Sequence, residues 1–202
     1  MLFSRSTGVL ITLTWSLGAA IAQQSNLPDL APGIFSAQSS AIIDAPLQTV
    51  WDVLLDFPSY PEWNPFSRSQ VVTNALWIPL EDQTPHENLR LIIQAQIPPL
   101  PTPVDENTSP NLLHAQISFE NITTIDHALH RAAWRAIMLP EVLLDSERWQ
   151  ALSTLPDGKT FYESKEVFRG PVGYVVDILF AEGLQEGFDA QATALKNRAE
   201  SL

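Results

Sequence analysis

Three prolines within nine residues constrain this chain more than any other feature. The stretch PSYPEWNPF, residues 58–66, directly follows LQTVWDVLLDF at 47–57. In that preceding segment Leu47, Val50, Trp51, Leu54 and Leu55 recur at spacings of three and four, which predicts a helix with one apolar face. Asp44-Ala45-Pro46 opens it, because a proline in the first turn gives up an N–H that has no intrahelical partner anyway. Phe57-Pro58 ends it. Pro58, Pro61 and Pro65 then forbid a second long helix, leaving a short turn that carries Tyr60, Trp63 and Phe66.

On either side of this corner the period is that of strands. FSAQSSAII at 35–43 alternates and then turns apolar, as a first strand would. After the corner, strand character runs over Ser67–Leu76, Leu89–Ile97, Leu113–Ile125, His130–Met138, Ser146–Thr154 and Lys159–Phe168. Asp157-Gly158 between the last two is a hairpin cue. PPLPTPVDENTSPN at 98–111 reads as one long loop, a length that in a compact domain implies a lid or disorder. Beyond Gly170-Pro171 the period changes. Residues 172 to about 200 predict a long helix, striped by Asp177, Ala181, Leu184, Phe188, Ala192 and Leu195. The order strand, helix, turn, six strands, long helix makes this an α+β chain, with no internal repeat.

At 202 residues, 45% hydrophobic and 17% charged, the sequence fits one globular domain. MLFSRSTGVLITLTWSLGAAIA at the start joins Arg5, an apolar run from Val9 to about Leu17 and the small-residue site Ala20-Ile21-Ala22, the pattern of a secretory signal peptide cut after Ala22. The run is short for a membrane anchor, which needs about 20 apolar residues. The expected organisation is therefore a signal at 1–22, a linker at 23–34 and a domain at 35–202, with a secreted product. Removing the signal takes away one cation and no acid, moving the net charge from −12 to −13. So acidic a chain should avoid nucleic acid and anionic lipid, since phosphate binding needs clustered Lys and Arg. There is no cysteine, so the core must hold without disulfides. Asn107-Thr108-Ser109 and Asn121-Ile122-Thr123 are sequons; Asn107 lies in the more loop-like context.

Five stretches carry a resemblance to a known family: APLQTVWDVLLDFPSYPEWNPF at 45–66, HRAAWRAI at 130–137, ERWQAL at 147–152, TFYESKEVFRGPVGYVV at 160–176 and ALKNRAE at 194–200. In this order they resemble the START-like superfamily, also called SRPBCC, with its polyketide cyclase/dehydrase and coenzyme Q-binding branches. The resemblance implies a helix-grip fold: a curved antiparallel sheet of about seven strands around a long C-terminal helix, with two short N-terminal helices and an enclosed apolar cavity. In that frame Trp63, Pro65 and Phe66 from the proline corner form part of the cavity's wall or mouth, and Phe57, Trp134, Phe168, Phe180 and Leu184 are further candidates for its lining. The signal peptide and the long loop after Ile97 depart from the family's pattern.

The sequence holds no G-x-S-x-G, no H-E-x-x-H, no Gly-rich phosphate loop and no cysteine nucleophile. His127, His130 and Asp126 straddle a predicted turn without a fourth partner and read as exposed turn residues rather than a metal site. No metal or other cofactor is expected, which leaves acid–base chemistry or positioning. Along KTFYESKEVF, Tyr162, Ser164, Glu166 and Phe168 share one face and Phe161, Glu163, Lys165 and Val167 the other. The first set is taken as inward, which puts the Glu166 carboxyl beside an apolar cavity where burial would raise its pKa. Arg148, on the neighbouring strand, would either polarise a ligand carbonyl or simply pair with Glu166. Asp177 is a lone acid on the stripe of the long helix, explained either by a catalytic role or by the helix dipole. Trp134 and Trp149 are expected in the core or the cavity wall. Three readings follow: a cofactor-independent cyclase or dehydratase acting on a polyketide- or terpenoid-like intermediate through Glu166, Arg148 and Tyr162; a carrier of a lipid, isoprenoid or pigment; and an extracellular interaction protein with a vestigial cavity.

Overall fold

The computed structural model describes residues 25–202; the expected signal peptide lies outside the described residues. Seven antiparallel strands, β1 (Phe35–Ile43), β2 (Ser67–Thr73), β3 (Arg90–Gln96), β4 (Ala115–Asp126), β5 (Arg131–Ala136), β6 (Asp145–Thr154) and β7 (Thr160–Arg169), form one sheet in the order β1-β7-β6-β5-β4-β3-β2. Helices α1 (Leu47–Leu55) and α2 (Tyr60–Trp63) connect the two edge strands, and α3 (Gly173–Glu200) packs along β1 and across the concave face. This is the helix-grip arrangement expected from the sequence. Bulges between Ser67 and Ser69 and between Ile122 and Thr124 mark β2 and β4, the kind of insertion that bends a sheet.

The proline corner works as its sequence implies. Pro46 precedes the first helical residue of α1, and Val50, Trp51, Val53 and Leu54 are buried. Phe57–Ser59 makes a 3₁₀ turn, and α2 adds a single turn. Tyr60 Oη donates to the Leu54 carbonyl at 2.7 Å, while Asn64 Oδ1 accepts from the N–H groups of Phe66 and Ser67 at 3.0 and 2.9 Å. The chain is thereby steered into β2. The main core, with Trp51, Phe57, Tyr60, Trp134 and Leu195, lies between α1, α2, the C-terminal half of α3 and the sheet. A second cluster of Ala37, Phe66, Phe168, Leu184 and Phe188 sits under the N-terminal half of α3.

Two connecting segments are more firmly held than their sequences suggest. The 98–111 loop is tied down: Leu100 N–H donates to the Pro65 carbonyl at 3.0 Å, and buried Arg68 donates to the carbonyls of Asn64 and Asp105 at 2.9 and 2.8 Å. Disorder is thus the wrong alternative for it. The segment before β1, expected as a linker, docks on the sheet. Asn26 donates to the Leu129 and Leu152 carbonyls, its backbone N–H reaches Glu163, and Ile34 N–H reaches the Phe168 carbonyl. At its far end Gly33 lies so close to Phe168 and Val167 that a Cβ there would sit 2.4 Å from the Phe168 carbonyl oxygen. That cover explains why Val167, on the outward face of β7, is buried.

Candidate functional site

Strand parity and register place the site. Trp134 on β5, Arg148 on β6, Glu166 on β7 and Ala37 on β1 lie opposite one another in turn, forming a row across the concave face. Under this row and the N-terminal half of α3 is a cavity of about 380 Å³, walled by Phe66, Trp134, Phe168, Phe180, Leu184 and neighbouring side chains, a volume within the usual range for small-molecule sites. Ile117, Met138 and Leu139 line it while 55%, 59% and 40% exposed, so the cavity opens beside the β5–β6 connection.

Three charged side chains line the cavity: Glu120, Arg148 and Glu166. Glu166 accepts a short hydrogen bond from Ser146 Oγ. Burial raises its pKa, and the Ser146 bond and the charge of Arg148 only partly oppose this. Glu120, 8% exposed, accepts from Ser118 Oγ at 2.7 Å. Burial, reinforced by the nearby charge of Glu166, pushes its pKa from 4.5 up to about 8. Among the described residues neither carboxylate has an ion-pair partner. Arg148 is opposite Glu166 in the register, yet its Nε donates to Ser164 Oγ at 3.1 Å and its Nη2 to Gln191 Oε1 at 3.3 Å, and its guanidinium lies 4.0 Å from the centre of the Phe188 ring. The simple Arg148–Glu166 ion pair weighed from the sequence is therefore absent. The arginine is instead held by a buried polar cluster and by an aromatic face.

Other candidates lie elsewhere. Tyr162 is fully buried and donates to Gln150 Oε1 at 2.7 Å, in the polar cluster behind Arg148 and off the cavity wall. Asp177 is half-buried on α3 and does not line the cavity. Of the corner residues only Phe66 reaches it. Trp63 packs edge-on against Tyr60 at 4.7 Å and faces a shallow groove beside the 98–111 loop, and Pro65 is buried beneath Leu100. The single turn of α2 carries Tyr60 and Trp63 to one side, and the chain then reverses into β2 and brings Phe66 inward. Phe57 packs edge-on behind Trp134 at 5.8 Å, one layer away from the cavity. Trp149 points outward, its indole N–H donating to Glu147 at 3.1 Å, because β6 turns Ser146, Arg148 and Gln150 inward. His127 is exposed, whereas His130 is half-buried and packs edge-on to Trp51 at 5.4 Å. Asn107 is exposed on its loop, and Asn121 is half-buried within β4.

Sequence reasoning missed Glu120. On β4 Gln116, Ser118 and Glu120 enter the cavity wall and Ile117 reaches its exposed rim, while Phe119 points away and packs edge-on to Trp77 at 4.9 Å. Three polar residues in alternation carry no apolar signal that would mark this face as inward.

Comparison with known proteins agrees with this geometry. A family model described as polyketide cyclase / dehydrase and lipid transport matches residues 43–160, more than half of the chain. Among solved structures the chain is similar to a hypothetical protein from Helicobacter pylori, at 10% identity and a TM-score of 0.62 over 88% of this chain and 99% of that one. It is also similar to a START superfamily protein from Mycobacterium smegmatis, at 17% identity and a TM-score of 0.52 over 82% and 97% of the two chains. A Thalictrum norcoclaurine synthase, solved as a point mutant with a transition-state analogue, aligns at 10% identity and a TM-score of 0.53 over 85% and 97%. At these identities the likeness is one of fold. No curated protein matches significantly.

Proposed function

Because the chain belongs to the polyketide cyclase / dehydrase and lipid transport family, we propose that it binds a hydrophobic small molecule in the cavity under α3 and acts on it as a cofactor-independent cyclase or dehydratase, with a polyketide- or terpenoid-like carbonyl compound as substrate. The observation that carries this reading is Glu166: a carboxyl in an apolar cavity, without an ion-pair partner among the described residues, whose pKa burial raises. As carboxylate, Glu166 takes a proton from the carbon next to the ligand's carbonyl. Arg148, fixed by Ser164, Gln191 and Phe188, stabilises the negative charge that moves onto the carbonyl oxygen. The resulting enolate carbon attacks a second carbonyl of the folded ligand, and the protonated Glu166 delivers its proton to the new alkoxide. Glu166, again a carboxylate, then takes the remaining proton from the adjacent carbon and passes it to that hydroxyl, which leaves as water. The apolar wall of Phe66, Trp134 and Phe168 holds the chain bent for the attack.

The test needs no knowledge of the natural substrate. 2-Tetralone in deuterated water exchanges its α-protons when a base of this kind reaches them, which proton NMR follows directly. The protein is expected to accelerate that exchange, and Glu166→Gln to lower the acceleration by about a hundredfold with little change in tetralone affinity. Binding without exchange would turn the reading to its alternative, a carrier that shields a lipid, isoprenoid or pigment without altering it.

A further inference from the structure

Proton transfer by Glu166 with Arg148 leaves Glu120 without a task. A carboxyl buried in apolar surroundings with no cation beside it is costly unless it is protonated or finds a charge partner. Glu120 is 8% exposed, and its one hydrogen-bond donor among the described residues is Ser118. A second, independent polar group on the same wall is also incomplete. Gln70 is 3% exposed and lines the cavity; its amide nitrogen donates to Ser67 Oγ at 3.0 Å, and its Oε1 has no partner among the described residues. The two are linked through the sheet: Gln70 on β2 lies opposite Ile93 on β3, Ile93 lies opposite Ser118 on β4, and Ser118 bonds Glu120. One wall therefore presents two hydrogen-bond acceptors in need of donors, and the cavity's arginine is engaged on the β6–β7 side.

We infer that Glu120 and Gln70 form a cation anchor, so that the ligand carries a protonated amine in addition to its apolar body. The inference rests on the reading of this cavity as the ligand site and adds the chemical class that the site selects. An ammonium group has three donors and no acceptor, the complement of a wall whose acceptors lack donors. A ligand carboxylate in that place would face two glutamates. The charged groups that face Glu120 are Arg148 from β6 and Glu166 from β7; the lining contributed by β2, β3, β5 and α3 is uncharged. In the empty cavity Glu120 keeps its proton up to about pH 8. The ammonium takes that proton's place, so binding below this pH releases a proton and weakens as pH falls.

Calorimetric titration of the folded protein with decylamine, decanol and decanoate at pH 9 and pH 6 tests this. At pH 9 decylamine is expected to bind about tenfold or more tighter than decanol, and decanoate more weakly than either. The amine's advantage should shrink by about tenfold per pH unit below the Glu120 titration. Glu120→Gln should abolish the advantage, and Glu186→Ala on the exposed side of α3 should retain it. Equal affinity of amine and alcohol at pH 9, or an amine preference that survives Glu120→Gln, would overturn the anchor and leave the cavity reading intact. Failure of all three compounds to bind would overturn the cavity reading and the anchor with it.

Discussion

Glu120 and Glu166 share a cavity but not an environment. Burial raises the pKa of both, but at Glu166 the Ser146 bond and the charge of Arg148 oppose it, whereas at Glu120 the fellow acid adds to it. A carboxyl with a raised folded-state pKa stabilises the fold in its protonated form. That contribution is fully present below the unfolded value of 4.5 and is lost as pH rises through about 8. Wild-type protein should accordingly lose stability between about pH 5 and pH 8 relative to Glu120→Gln, by on the order of a few kcal/mol. Urea titrations of both proteins at matched pH values check this; parallel pH profiles would mean that Glu120 ionises without cost in the folded state. Arg148 illustrates a second point at this scale. A residue directly opposite an acid in the register need not pair with it when Ser164, Gln191 and the Phe188 ring offer better-directed contacts.

At the scale of elements, α3 decides the cavity's shape. It approaches the corner so closely at Gly187 that a Cβ there would lie 2.3 Å from Phe66 Cδ2, and at Gly183 so closely that one would lie 2.9 Å from Ile97 Cγ2. The two glycines seat the helix against Phe66 and the end of β3. Gly187→Ala raises helix propensity by about 1 kcal/mol but forces the Phe66 ring to move in a packed core, which typically costs about 1–3 kcal/mol. Net destabilisation is expected, together with weaker binding of decanol as Phe66 is displaced; chemical denaturation and calorimetry report the two effects separately. Glu186→Ala, one position away on the exposed side of α3, should be nearly silent in both. Gly170, at φ +82°, makes the turn from β7 into α3, and a Cβ there would sit 2.6 Å from the Leu143 carbonyl oxygen, so the helix's entry leaves as little room as its middle.

The described residues enclose an apolar cavity between a sheet and a helix, so occupancy should stabilise the entire fold. At a hundred times its dissociation constant, an uncharged ligand such as decanol should add about 2.7 kcal/mol and raise the melting temperature by roughly 5–11 °C for a chain of this size. A scan showing no shift at saturation would mean that the ligand binds the folded and unfolded chains alike. The order of elements was legible in the sequence, and so were the end of α1 at the proline corner, the Asp157-Gly158 hairpin and the shared face of Tyr162, Ser164, Glu166 and Phe168. These depend on local chemistry: proline's missing donor, the strand's period of two and the helix's of 3.6. Periodicity says which residues share a face, but not which face turns inward. On β4 the residues that enter the cavity, Gln116, Ser118 and Glu120, are polar, with Ile117 at the rim and Phe119 packed outward on Trp77, so no apolar signal marks that face. Trp149, Trp63 and Tyr162 were misplaced for a related reason: an aromatic is recognisable in sequence, but whether it meets a core, a groove or a cavity depends on what packs over it. Only the closing of seven strands around α3 brings Glu120 and Glu166 to one cavity, because their proximity is set by register across β4 to β7 and by the helix laid over them, and nothing local to either residue encodes it.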